Sequence, residues 1–151
     1  MCVPNKYQIS ENLLQQGFEV KLSVGGTSMF PYLLNKEQVR IVGIAHHTLK
    51  TGDIVIFKNN GHWIAHRLLS IKKHHYLIKG DFCINSDPPM QAKDIIGKVT
   101  GVYRRNKYID FEKKSRQKLH YIIAKISPAL PPFVWFTLRL HRLKKSFLAY
   151  E

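Results

Sequence analysis

Between Phe18 and Phe111 the chain falls into seven short apolar or alternating segments, and none of them carries a helical period. Phe18, Val20, Leu22 and Val24 alternate with Glu19, Lys21 and Ser23, the period-2 pattern of a half-buried strand that runs into Gly25-Gly26. Further strands are expected over Val39 to Ile44, Asp53 to Lys58, His62 to Lys73, Tyr76 to Lys79, Ile95 to Arg104 and Tyr108 to Phe111. Asn59-Asn60-Gly61 and Arg105-Asn106-Lys107 read as hairpin breaks, because Asn and Gly tolerate positive φ. Parallel strands need crossover connections, usually helices, and no long helical period lies between these segments. The expected class is therefore mainly β, antiparallel and hairpin-rich.

Both flanks differ from this body. Ser10 to Gln16, with Ser10 as cap and Gly17 as stop, predicts a short N-terminal helix. Residues 113 to 151 hold nine Lys or Arg against one acid, more than half of the formal net charge of +14. Within them Lys113 to Lys118 is basic, Leu119 to Ile126 is apolar, and Pro128 to Pro132 is a break. Phe133, Phe136, Leu140, Leu143 and Phe147 then recur at helical spacing, with Arg139, Arg142 and Lys145 on the other side and Trp135 suited to a headgroup boundary. A β-rich domain over residues 1–112 and a basic, Pro-interrupted amphipathic segment over 113–151 are expected. Such a segment attracts an anionic lipid surface or a nucleic acid, and charge alone does not choose between them. No leader peptide and no run of about 20 apolar residues is present, so attachment to a membrane would be peripheral. Cys2 and Cys83 offer no disulfide framework, which favours a reducing, cytoplasmic setting.

Ser28 sits where the first strand ends abruptly, and Gly25-Gly26 lets the backbone turn there and approach a substrate closely. A serine attacks only if its proton has somewhere to go, and His66 is the residue suited to take it. It lies in Trp63-Ile64-Ala65-His66-Arg67-Leu68-Leu69, where a buried imidazole needs a partner. A neutral imidazole, with a reference pKa of about 6.5, is a competent base at neutral pH. Gly26, Thr27 and Met29 flank the nucleophile, where backbone N–H groups would meet an oxyanion. Asp81 and Asp87 are the acids that could orient His66. His62 and His66 are four apart, which on a strand means roughly 13 Å, too far to share a metal ion.

Five ordered boxes carry a resemblance: Gly26-Thr27-Ser28-Met29-Phe30-Pro31, Gly52-Asp53-Ile54-Val55, Ala65-His66-Arg67, Lys79-Gly80-Asp81 through Asp87, and Ile96-Gly97-Lys98-Val99. Together they resemble the serine peptidases of the LexA and signal peptidase families, and most closely signal peptidase I of the endoplasmic-reticulum and archaeal type. Bacterial-type members place lysine where this chain has His66-Arg67. The resemblance implies a coiled β-barrel, Ser28 as nucleophile, His66 as base and Asp87 as third member, with Asp81 able to substitute. It implies removal of a leader peptide bound as an added β-strand, with no cofactor or metal. The family's usual serine side-chain donor to the oxyanion is replaced by Gly26, and its membrane anchor would be replaced by the C-terminal segment. Two other readings share these residues: a LexA-like self-cleaving regulator, which needs a DNA-binding domain, and a non-catalytic basic module binding a membrane or nucleic acid.

Overall fold

The structure, a computed structural model, describes residues 5–44, 49–73 and 75–128. Cys2 and the amphipathic segment from Phe133 to Phe147 lie outside them. Helix α1 (Lys6–Gln15) is followed by strands β1 (Val20–Ser23), β2 (Gln38–Gly43), β3 (Ile54–Asn59), β4 (His62–Lys72), β5 (His75–Lys79), β6 (Ile95–Arg104) and β7 (Lys107–Asp110). A single turn of 3-10 helix (Ala92–Asp94) precedes β6, and helix α2 (Lys114–Ile126) follows β7.

All strand pairs are antiparallel, as the lack of crossover helices requires. Asn59 pairs with His62 across Asn60 and Gly61, and Arg104 with Lys107 across Arg105 and Asn106. All four turn residues have positive φ, the signature of the two-residue turn whose twist matches the strands it joins. The expected cap Ser10 is mid-helix, its hydroxyl donating to the Lys6 carbonyl at 2.8 Å. Asn5 caps α1 instead, accepting from Tyr7 and Gln8 N–H, and Gly17 at φ +86 stops it.

The sheet does not close into the expected coiled barrel. Its order is β1-β2-β6-β3-β4-β5, with β7 also on β6, so β1 and β5 end the ladder. Closure requires the two end strands to hydrogen-bond, and β6 prevents a simple ring by serving three partners. Its first half lies on β3, its last residues on β7, and β2 runs along its other side.

The core lies on both faces of this sheet. Ile54 and Ile56 join Val39, Ile41, Val99 and Val102 on one face, while Val55 and Phe57 join Leu68, Ile78 and Ile95 on the other. Strand β3 is thus apolar on both sides, which explains its unbroken Ile-Val-Ile-Phe run. Each such side chain contributes roughly 1.5–3 kcal/mol by leaving water. Ile54→Ala, at a fully buried position, is expected to cost about 2–5 kcal/mol in denaturant unfolding.

Candidate active site

Three chain segments meet at the open end of the sheet. The first is the turn after β1. Val24 N–H donates to the Glu37 carbonyl and Lys36 N–H to the Val24 carbonyl, holding the exit of β1 beside the start of β2. Gly26 takes φ +83, which a residue with a Cβ adopts only with strain. Residues 27–33 then coil tightly: Phe30 N–H donates to Thr27, and Tyr32 and Leu33 N–H both donate to Met29. Met29 and Leu33 are buried in the core and pin this coil, leaving Ser28 half-buried at its head.

The second segment is the middle of β4. His66 lies opposite Val55 on β3, is 7% exposed, and packs edge-on to Phe57 with ring centroids 5.7 Å apart. The third is the loop after β5, anchored where Asp87 N–H donates to the Ile78 carbonyl at 2.9 Å. That anchor delivers the Asp87 carboxylate to His66, Oδ2 standing 2.7 Å from Nδ1. A carboxylate at Nδ1 accepts its proton and leaves the Nε2 lone pair free as an acceptor.

The free nitrogen faces the Ser28 turn across Gly80. A Cβ on Gly80 would lie 2.9 Å from His66 Nε2, 2.7 Å from the Ser28 carbonyl oxygen and 2.7 Å from Cys83 Sγ. The missing side chain leaves room for the Ser28 carbonyl and His66 Nε2 on either side of Gly80. Phe82 N–H donates to that same Ser28 carbonyl at 2.8 Å, tying the Ser28 turn and the Asp87 loop together. Ser28 and His66 line one cleft of about 450 Å³. Its walls are the exit of β1 (Leu22 to Gly26), Met29 and the β4 segment Trp63 to Ala65, with Lys6 and Tyr7 of α1 at one side. Strand β5 pairs with β4 only from Arg67 onward, and β1 ends the sheet, so among the described residues strands with a free edge flank the cleft on both sides.

Asp81 is not beside His66. It accepts Arg67 Nε at 2.8 Å and Nη2 at 2.6 Å, while Arg67 Nη1 donates to the Gly52 carbonyl at 2.9 Å. Both side chains are buried, so the two candidate acids have separate tasks: Asp87 meets the imidazole and Asp81 holds the next residue along β4. Gly26 also differs from expectation, because its N–H points to Asn35 Oδ1 at 3.3 Å. Thr27 is exposed and Met29 faces the core. His62 and His66 lie four residues apart along an extended strand, and no group of metal-binding side chains forms among the described residues.

Four contributors escape a reading of the sequence. Gly80 stands in a quoted box but needed a spatial neighbour to explain it. Cys83 shares the cleft, its thiol pushed up by burial and by the Asp87 carboxylate, so it is held as a neutral thiol. Tyr32 and His120 form the remaining pair. His120 is buried on α2 with its Nε2 against the Tyr32 hydroxyl, and burial, then the charge of Arg67, lowers its pKa to about 3. Burial likewise raises that of Tyr32. No protein-family model matches the chain, and no curated protein is significantly similar to it.

The depressed His120 pKa sets a stability slope. The unfolded imidazole takes a proton below about 6.5 while the folded one refuses it until about 3, so stability falls as pH drops between those values. Thermal melts from pH 7 to pH 4 are expected to show this decline, and His120→Gln is expected to make it shallower.

Proposed function

We propose that this chain is a serine endopeptidase, with Ser28 as nucleophile and His66 as general base, that removes leader peptides in the manner of the endoplasmic-reticulum type of signal peptidase. The observation that carries the reading is the contact of Asp87 with His66 Nδ1 while Nε2 is turned toward the Ser28 turn across Gly80. Asp87 holds the imidazole in the tautomer that accepts at Nε2 and stabilises the imidazolium once it forms.

The reaction then runs as follows. Ser28 Oγ attacks the scissile carbonyl and its proton passes to His66 Nε2. The tetrahedral oxyanion takes a hydrogen bond from backbone N–H at the turn, with Ser28 N–H the assigned donor, a contribution of about 2.7–4 kcal/mol per donor. The imidazolium returns the proton to the leaving amine, and water completes the turnover by the same relay. The substrate is an extended segment laid between the edge of β1 and the upper edge of β4, where strand addition would use backbone groups that no neighbouring strand occupies. The cleft's apolar lining, from Leu22, Met29 and Ala65, suits small uncharged side chains before the cut.

The partner implied with this reading is an anionic lipid surface met by residues 113–151. Within α2, Leu119, Ile122 and Ile126 are exposed along one stripe, with Lys118 and Lys125 beside it. That is an interfacial pattern, and among the described residues no helix is long and apolar enough to cross a membrane. Flotation with phosphatidylglycerol vesicles is expected to retain the protein, and deletion of residues 129–151 to weaken retention.

Ser28→Ala and His66→Ala are each expected to abolish cleavage of an internally quenched leader peptide, and Asp87→Asn to lower kcat by about 10⁴-fold through the wrong tautomer. Gly80→Ala is expected to cost at least tenfold by driving the Ser28 turn off the imidazole. Unchanged cleavage by Ser28→Ala rejects the peptidase reading. Salt-dependent nucleic-acid binding with no serine-directed labelling would favour the non-catalytic module instead.

A further inference from the structure

The three segments that build the cleft meet a second time, on the other face of β4. His66 and Arg67 are successive strand residues, so their side chains leave the strand on opposite sides. Arg67 there grips Asp81, from the loop that carries Asp87, and its guanidinium lies 4.8 Å over the ring of Tyr32, from the turn that carries Ser28. The fourth member comes from α2. His120 sets its Nε2 on the Tyr32 hydroxyl and its ring edge-on to both Tyr32 and Phe111, at 4.8 and 4.7 Å. Its backbone also presses on the turn before β3: a Cβ on Gly52 would come within 2.7 Å of the His120 carbonyl carbon.

Resting on the peptidase reading, we infer that His120 is a positioning residue for Ser28, acting through Tyr32. The coil of residues 27–33 is held together by backbone hydrogen bonds of 2.9 to 3.0 Å. Met29 and Leu33 fix its depth in the core. Its rotation about that anchor is set by Tyr32, whose hydroxyl is held by His120 and whose carbonyl accepts Arg104 Nη2 at 2.9 Å. Nε2 can accept the Tyr32 proton only while the imidazole is neutral. Neutrality is secured first by burial and then by the charge of Arg67 from β4, with Arg116 from its own helix and Lys98 from β6 adding to it against the backbone hydrogen bond to Gly52, while Asp81 is committed to Arg67. Helix α2 is therefore part of the catalytic scaffold, and the nucleophile's aim depends on a residue beyond the β-domain boundary expected from composition.

The test compares full-length wild type, His120→Ala, His120→Gln, Tyr32→Phe and the Tyr32→Phe/His120→Ala pair. The readouts are kcat and KM on a quenched leader peptide, and the rate of Ser28 labelling by a fluorophosphonate, all well below each variant's melting temperature. A misplacement of the order of 1 Å costs about hundredfold, so His120→Ala and Tyr32→Phe are each expected to lower kcat roughly ten- to hundredfold with KM little changed. The double variant should be no worse than either single one, because both break the same link. His120→Gln, whose amide oxygen can accept the Tyr32 proton, should recover most of the rate. Folded His120 and Tyr32 variants with wild-type kcat, or rate losses that only track the folded fraction, overturn the positioning role. Cleavage that survives Ser28→Ala overturns instead the peptidase reading beneath it.

Discussion

The buried pair of Arg67 and Asp81 is the interaction on which the rest of the site depends. Removing two charges from water costs several kcal/mol per ion, and only close geometry with every donor satisfied offsets it. Here the guanidinium is fully buried, forks onto the carboxylate with two hydrogen bonds and gives a third to the Gly52 carbonyl. Such a pair can exist in one arrangement only, because any slip leaves a charge unpaired in the interior. It therefore fixes the loop after β5 against β4, and with that loop come Gly80, beneath His66, and Asp87, beside it. The same guanidinium supports Tyr32, which ties the serine turn to the same reference point.

This arrangement explains why an open sheet suffices. A closed barrel would hold its rim by continuous strand pairing, whereas here β1 and β5 end the ladder without meeting. The rim is held by side chains instead: Arg67 with Asp81, Lys79 Nζ donating to the Ser127 carbonyl at the end of α2, and Lys98 between Asp53 and Glu112. Burial lowers the Lys79 pKa and raises that of Asp53, the expected strain of keeping charged groups away from water in exchange for a defined geometry. The edge of β4 before Arg67, which pairs with β3 but not with β5, is left for the cleft.

Much of this was legible in the residues, for reasons that differ by element. Strand β6 matches its expected bounds from Ile95 to Arg104, because alternation and an apolar run are local properties. The Asn60-Gly61 and Arg105-Asn106 turns follow from left-handed backbone preference, again local. Ser28, His66 and Asp87 stood out by residue type and context, and the fold brings all three to one place. What was not legible is spatial pairing. Asp81 and Asp87 lie in one loop, and only the path of that loop across β4 decides which meets the imidazole and which meets the arginine. The helix start was misplaced because Asn5, with Gln8 three residues on, outcompetes Ser10 as a cap. The basic residues 113–118 and the apolar residues 119–126 differ in composition, yet helix propensity carries Lys114 to Ile126 through as one helix. Nothing in the sequence set His120 apart from the histidines other than His66, and its burial depends on Tyr32, 88 residues earlier.

If the proposed peptidase reading holds, the shortness of β1 limits how much of a substrate chain can be read along that edge. The strand has four residues, Val20 to Ser23, and alternate side chains leave its opposite faces. A segment laid along that edge can present only about two side chains inward before the ladder ends at the Gly25-Gly26 bend. Discrimination gathered over so few positions must rest on size and charge at those sites, with little left for sequence farther along. On the proposed reading, an edge of this length would accept many sequences that share a local shape, and would leave the choice among them to whatever brings the chain to the cleft.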